Sequence, residues 1–430
     1  MRHQPNRFGD DSKATPLFSR SSHEGRGPDP WPGENSAMAH VLALTLLAAA
    51  ATGTVLLLLQ LAALGWHLRG KPAAPTRYPG ITVLKPLCGL DDELEQNLAC
   101  FAALDWPEYE VLLGVRDPDD AACPLARRFE ARYPGRFRLV FQRGEPGFNP
   151  KVNQLITLAR AARHPLLVVS DSNVRVEPGY LAEIAALLED PGVGLVTHAI
   201  VGVGERRLGS LFDHLHLAGS IAPGVVAAQA LAGQDIVVGK SMAFRREDLE
   251  ALGGFAVAKD VLAEDFVLGR MVSRVLGKRV ALGRRPIQNV SVSRGVGDFL
   301  GRYGRWAVLH RTTTGRLVHL AQAALNPVLL GALALLLEPD LSSLLAFAAL
   351  CAAKVAIDGA CGRALRPGGF GWRGLLVPVK DLVYGLAWAR GLVRSTVEWR
   401  GTRIRVLAGT RIEATRGVAV ESSARLGRAA

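Results

Sequence analysis

Hydrophobic and polar positions divide the chain into three stretches. Residues 38–66 are apolar and carry no ionised side chain apart from His40. That run exceeds the roughly 20 residues a spanning helix needs, so it predicts a transmembrane helix. It is too long for a signal-peptide core and follows a polar leader, which disfavours a cleaved signal. From Ile81 onward, short apolar runs alternate with amphipathic ones, the pattern of a mixed α/β sheet with helices on both faces. Strands are expected at 81–87, 109–115, 137–142, 166–169, 193–197 and within 236–244. Helices are expected at 91–104, 123–133, up to 162, at 179–188 and at 245–252. The third stretch is apolar again: 317–337 and 341–357 can each span, with Lys354 near the end of the second able to snorkel. Residues 375–393 are interrupted by Lys380, Asp381 and Arg390, and we read them as a re-entrant or interfacial segment.

The domain organisation follows. Residues 1–37, rich in Pro, Gly, Ser and both charges, form a tail expected to be disordered. A transmembrane helix (38–66), an α/β domain (75–310), a C-terminal membrane region (317–393) and a basic tail (394–430) come after it. The net charge of +12 comes from basic residues spread along the chain rather than from a basic helix interleaved with aromatics. That distribution excludes the usual nucleic-acid footprint and suits an anionic membrane face or substrate. Arg69, Lys71 and Arg77 directly follow the first apolar run, placing the α/β domain on the cytoplasmic side. The five cysteines have no metal-ligand spacing and read as thiols in a reducing compartment.

Candidate chemistry lies in acids that follow apolar strands, because ligands bind outside the carboxyl ends of strands in such sheets. Asp171 follows the run ending at Ser170, although a solvated turn acid fits the same position. Asp117 follows the 109–115 strand and is the ligand-contact candidate, while Asp119 and Asp120 suit a helix N-cap. Lys151 lies in a Gly/Pro/Asn-rich loop that opens a helix and supplies a cation for a phosphate. Glu264 and Asp265 open another helix, either as dipole partners or with one as a general base. Arg302 and Arg305 share a helix face beside Trp306, fit to grip a diphosphate or to anchor at a membrane interface. The apolar stretch 208–231 is expected against lipid or around an acceptor groove. Its His214 and His216, two apart, do not share a helical face as a metal pair would.

Taken in order, Leu84-Lys85-Pro86-Leu87, Tyr109-Glu110-Val111-Leu112-Leu113, Asn149-Pro150-Lys151-Val152-Asn153, Ser170-Asp171-Ser172-Asn173-Val174-Arg175-Val176, Ala263-Glu264-Asp265-Phe266 and Arg302-x-x-Arg305-Trp306 resemble the inverting nucleotide-sugar glycosyltransferases with three acidic motifs. The chain is most similar to the ceramide glucosyltransferase family, over about 75–310. The resemblance implies the nucleotide-sugar-binding glycosyltransferase-A-type fold in an integral membrane enzyme. It also implies transfer of glucose from UDP-glucose to the hydroxyl of a membrane lipid, ceramide, giving a β-glucoside. By the same resemblance Asp117 contacts the nucleotide and Asp171 holds a divalent Mg²⁺ or Mn²⁺. Asp265 is the catalytic base with Glu264 second, and Lys151, Arg302, Arg305 and Trp306 serve the donor. The second acidic motif departs from the family in reading Asp-Ser-Asn, which leaves a single carboxylate for the metal, as Mg²⁺ and Mn²⁺ accept. No family motif fixes the acceptor. A hopanoid, sterol or diacylglycerol acceptor, UDP-N-acetylglucosamine as donor, a processive polysaccharide synthase and a non-catalytic membrane scaffold are the competing readings.

Overall fold

The computed structural model describes residues 32–144, 146–399 and 402–414. Residues 1–31 of the expected disordered tail and 415–430 of the basic tail lie outside the described residues; residues 32–37 belong to the first helix.

The chain enters through helix α1 (Pro32–Arg69), which contains the whole expected span. Strands β1 (Ile81–Pro86), β2 (Tyr109–Val115), β3 (Phe137–Phe141) and β4 (Leu166–Ser170) alternate with α2 (Leu94–Ala102), α3 (Cys123–Arg132) and α4 (Pro150–Ala161). The two-residue β5 (Val174–Arg175), α5 (Tyr180–Leu188) and the long β6 (Val193–Val203) follow. The sheet has eight strands in the order β3-β2-β1-β4-β7-β6-β8-β5, with β7 at Ser241–Arg245 and β8 at Arg279–Val290. Strands β3, β2, β1 and β4 are parallel, and β7 runs antiparallel between β4 and β6. This is the mixed sheet expected from the alternating pattern.

Strand side chains alternate between two faces. Val83, Val111 and Val168 pack with Leu98 of α2, Phe129 of α3 and Ile184 of α5. Leu84, Leu112 and Val169 pack on the other face with Leu155 of α4 and with Leu268 of a helix opening at Glu264. Helices therefore cover both faces. The twelve-residue β8 escaped the pattern because Arg279, Arg284, Arg285 and Pro286 break its alternation.

After β6 the chain forms α6 (Leu208–His216), a π-helical turn (Leu217–Ile221) and α7 (Ala222–Ala232). Short α8 (Arg246–Ala251) and then α9 (Glu264–Val275) follow β7, and α10 (Val296–Thr314) follows β8. The remaining helices are α11 (Arg316–Ala321), α12 (Pro327–Leu337), α13 (Leu341–Leu365) and α14 (Val377–Val393). Among the described residues, three helical stretches are long and apolar enough to cross a membrane: Ala37–Arg69, Leu208–Ala232 and Leu341–Leu365. The 208–231 stretch is thus itself a candidate span. Its Ala218, Ala222 and Val226 join Leu57 and Leu64 of α1 and Ile357 of α13 in one apolar cluster, instead of meeting lipid all round.

The structure corrects one expectation in this region and refines two. The 317–337 candidate is a bent pair, Arg316–Leu325 and Pro327–Leu337 meeting at 86°, a broken span or a re-entrant loop. Pro327 disfavours a helical conformation at the residue before it, and the Asn326 side chain caps the new helix by accepting from Leu329 N at 3.1 Å. Gly53 of α1 lets this elbow approach, since a Cβ there would lie 1.6 Å from the Ala324 carbonyl oxygen. Lys354 does not snorkel; it is buried and bonds Asp358 at 2.6 Å. The charges of 375–393 also do not break a helix. Lys380 and Asp381 point inward from α14 at 2.5 Å from one another, with Lys380 3.5 Å from Asp358 and Lys354 3.6 Å from Asp381.

Part of the stretch read only as a basic tail folds into a small antiparallel sheet of β9 (Thr396–Trp399), β10 (Thr402–Val406) and β11 (Ile412–Ala414). Val397, Ile404 and Ile412 pack on Leu262 and Val308, and the backbone joins Leu262 N to Thr410 O at 2.9 Å. The segment leading into α9 is braced from outside the main sheet.

Candidate active site

The carboxyl end of β4 delivers Asp171. Strand β7 runs antiparallel to β4 with Ser170 opposite Ser241, so the next residues outward, Asp171 and Lys240, stand side by side. Lys240 Nζ bonds Asp171 Oδ2 at 3.1 Å and Asn173 Oδ1 at 2.7 Å. From α4, Lys151 Nζ meets the other oxygen, Asp171 Oδ1, at 2.8 Å, and also Glu264 Oε1 at 2.8 Å and Gly239 O at 2.7 Å. Burial alone would raise the Asp171 pKa, yet the two lysines hold it far below the usual carboxylate range. Burial would likewise lower Lys151, but Asp171 and Glu264 hold it well above the ordinary lysine value.

Lys151 sits in the predicted loop-to-helix position, with Asn149 capping α4 by accepting from Lys151 N and Val152 N. Its expected orientation toward a ligand phosphate is not what the structure has. An ammonium has three N–H donors, and all three here find acceptors within the protein. Lys151 is a cross-link between β4, the turn before β7 and α9.

Glu264 and Asp265 open α9 as expected, and the structure separates them. Glu264 is buried, paired to Lys151 and 3.4 Å from Asn149 Nδ2. Asp265 Oδ2 accepts from Gly239 N at 2.9 Å, while Oδ1 accepts from Phe266 N at 2.8 Å. Burial first, and the adjacent Glu264 second, push the Asp265 carboxyl up to about 6. Gly239 is required for this approach, because a Cβ there would lie 2.7 Å from Asp265 Oδ2.

Arg302 reaches the same region from α10, but it is not an open cation. Its NH1 bonds Asp213 Oδ2 of α6 at 2.8 Å, and Tyr303 OH donates to Asp213 Oδ1 at 2.8 Å. The guanidinium lies 5.1 Å from the Trp306 ring centroid, close enough for cation–π attraction, and feels the Asp171 charge. Arg305, one turn along, also has a partner. Asp117 lies past the end of β2 with its side chain half exposed; it accepts from Asp119 N at 3.1 Å and lies 3.8 Å from Arg116 Nε. Asp120 is the turn acid, accepting from Ala122 N and Gly89 N. The two histidines part company, as their spacing required: His214 bonds Glu205 at 2.8 Å, and His216 packs on Tyr303 and Tyr384.

The sequence did not reveal the roles of Lys85, Asp213 and Lys240. Lys85 is fully buried beneath Asp171, donating to its carbonyl oxygen at 2.7 Å and lying 3.9 Å from the centre of the Phe101 ring. Burial pulls its ammonium down to about 7. The signal available was a single lysine inside each of two apolar runs, 81–87 and 236–244. For Asp213 no signal distinguishes it from a surface acid.

Among the described residues, no three His, Cys, Asp or Glu side chains come together as a metal cage. The Asp171 carboxylate and Asn173 amide oxygens nevertheless converge on one cation, the Lys240 ammonium. That all-oxygen pair fits a hard ion of the Mg²⁺ or Mn²⁺ kind, whose remaining positions go to water and phosphate oxygens.

The site is a cluster of acids and lysines at the strand ends of a mixed α/β sheet, in a chain whose helices include candidates to cross a membrane. The chain belongs to glycosyl transferase family 21, whose profile matches residues 43–412. "Ceramide glucosyltransferase 3" of Caenorhabditis elegans is 28% identical over 248 residues, 57% of this chain and 53% of that protein. A ceramide glucosyltransferase of Komagataella phaffii is 26% identical over 198 residues, covering 41% of this chain and 39% of the relative. The chain thus matches about half the length of the first of these relatives or less. A mannosyltransferase, PcManGT from Pyrobaculum calidifontis, solved with GDP-Man and Mn²⁺, is 21% identical with a TM-score of 0.46, covering 82% of this chain and 99% of that one.

Proposed function

We propose that the protein is a membrane-bound inverting hexosyltransferase that moves glucose from UDP-glucose to the hydroxyl of ceramide, giving a β-glucosyl lipid. The observation that carries this reading is the separation of the two acids on α9. Glu264 is neutralised by Lys151, while Asp265 keeps a carboxyl whose pKa is raised to about 6. A group that takes a proton from an attacking hydroxyl works best with a pKa near the working pH. Family membership and the names of the relatives support the sugar-transfer class and the acceptor.

In this reading Asp117 contacts the nucleotide, and Arg302, held by Asp213, places its remaining donors toward the diphosphate with Arg305 and Trp306 alongside. Asp171 and Asn173 would hold Mg²⁺ or Mn²⁺, which offsets the charge that develops on the leaving diphosphate. Asp265 takes the proton of the acceptor hydroxyl on the face of C1 opposite the leaving group. One displacement from that side inverts an α-linked donor to a β product. The basic residues Arg69 at the end of α1 and Lys71 just after it support a cytoplasmic position for the sheet. Apolar α1, α13 and the Leu208–Ala232 stretch would bring a membrane-dissolved acceptor to it.

The test is transfer by the purified full-length protein in detergent with UDP-glucose, Mg²⁺ or Mn²⁺ and a ceramide, followed by mass spectrometry of the lipid and β-glucosidase digestion. A hexosylated, β-glucosidase-sensitive ceramide is expected. Product formed only with diacylglycerol or a sterol, or only from UDP-N-acetylglucosamine, overturns the substrate assignment, and no UDP release with any lipid overturns the enzyme.

The pH dependence has a defined sign. Because folding raises the Asp265 pKa to about 6, the carboxyl is protonated and unable to act as a base below that pH. We expect kcat/KM to fall about tenfold per pH unit below it. A rate that stays level from about pH 7 to about pH 5 contradicts the assignment.

A further inference from the structure

The strand-end cluster contains a cation, Lys240, that neither the motifs nor the mechanism above employs. Lys240 differs from its two lysine neighbours in how its hydrogens are used. Lys151 spends all three N–H donors on Asp171, Glu264 and Gly239, while Lys85 is sealed beneath the strand ends with no exposed surface. Lys240 has two acceptors, Asp171 Oδ2 at 3.1 Å and Asn173 Oδ1 at 2.7 Å, and its side chain is 17% exposed. One donor therefore remains for a ligand.

Its backbone cannot drift from that place. Asp171 N bonds Lys240 O at 3.4 Å, and the preceding Gly239 is fixed on one side by Lys151 Nζ and on the other by Asp265 Oδ2. The turn is thus tied to the strand-end acid, to the α4 lysine and to the α9 acid, and only the lysine stem is free to swing. Arg302 is near enough for its charge to be felt by both Lys240 and Asp171. A lysine with a donor to spare, under the influence of a second positive charge, attracts an anion with charged oxygens.

The charges also balance in two ways. Without a ligand, Lys151 and Lys240 offset Asp171 and Glu264. If a divalent ion takes the oxygen pair at Asp171 and Asn173, the Lys240 ammonium must leave it, since both fill the same place. The diphosphate that accompanies the ion then provides acceptors within reach of a four-carbon stem.

We propose that Lys240 is a diphosphate-binding residue: it holds the Asp171–Asn173 oxygen pair as an internal cation and passes to a phosphate oxygen of the nucleotide-sugar donor when donor and metal enter. The proposal rests on the nucleotide-sugar reading of this site. Lys240 touches the leaving group, so removing it weakens the nucleotide itself, independently of sugar or lipid.

The experiment measures UDP binding by titration calorimetry on full-length wild type, Lys240→Met and Lys240→Arg in detergent with Mg²⁺. It adds Mn²⁺ binding without nucleotide by electron paramagnetic resonance. Lys240→Met leaves Asp171 paired with Lys151, so a fold close to wild type is expected, checked by its melting temperature. UDP affinity should fall about 10- to 100-fold in Lys240→Met, the range for a hydrogen bond to a charged group, and by much less in Lys240→Arg, which keeps the charge. Mn²⁺ without nucleotide should bind Lys240→Met more tightly than wild type, because the competing ammonium is gone. Equal UDP affinity in wild type and Lys240→Met overturns the assignment, as does weaker Mn²⁺ binding by that variant. Should Lys240→Met fail to fold, Lys240→Gln replaces it under the same criteria. Wild type that binds no UDP overturns the function reading instead, which keeps the two failures distinct.

Discussion

Asp265→Asn will bind UDP-glucose and fail to transfer the sugar. The substitution keeps the side-chain size and one acceptor oxygen, for either Gly239 N or Phe266 N, turns the other oxygen into an amide donor, and removes the proton acceptor. Loss of a positioned general base lowers kcat by about 10²- to 10⁴-fold, while donor affinity changes little because the donor contacts lie on other elements. Glu264→Gln is the informative contrast. It leaves Lys151 with Asp171 and Gly239 but without one carboxylate partner, so its defect should show in melting temperature together with rate. Single-turnover transfer and UDP binding on the same preparations separate the two. Near-normal turnover in Asp265→Asn would move the base to another group.

Lys380→Met should produce the largest stability loss of any substitution outside the candidate active site. Lys354, Asp358, Lys380 and Asp381 are each at most 2% exposed and form a closed box between α13 and α14, two cations against two acids. Removing one member leaves a buried charge without its partner, which typically costs about 3–5 kcal/mol. Replacing a pair with apolar groups removes the imbalance, so Lys380→Met with Asp358→Leu should regain most of the loss. The readout is the thermal midpoint in detergent for wild type, single and double variants. A single variant as stable as wild type would show that the box contributes no net interaction.

What the pattern showed and what it hid follow from the range of the forces involved. Strand β2 was legible to the residue because Tyr109–Val115 is buried at every position between two neighbours, leaving an apolar run that only Glu110 interrupts. Strand β8 was not, because as a pairing partner of β6 along most of its length it tolerates Arg284 and Arg285, which bond His67 and Glu177 far away in sequence. The helix at 377–393 looked interrupted for the same reason. A charge appears as a break when its partner is unknown, and the partners of Lys380 and Asp381 include residues of another helix.

The sequence by itself determined the alternation that makes a mixed α/β sheet, the apolar run of α1, and the acids past strand ends, Asp117 and Asp171, and at a helix start, Glu264 and Asp265. These are local properties of period, length and position next to a strand end. The tertiary structure decided how those acids differ. Asp171 and Glu264 are ion-paired because Lys151 and Lys240 arrive from α4 and the turn before β7, far away in sequence, whereas burial, with Glu264 beside it, pushes Asp265 up. Electrostatic environment depends on distance through space, and only the folded chain sets it.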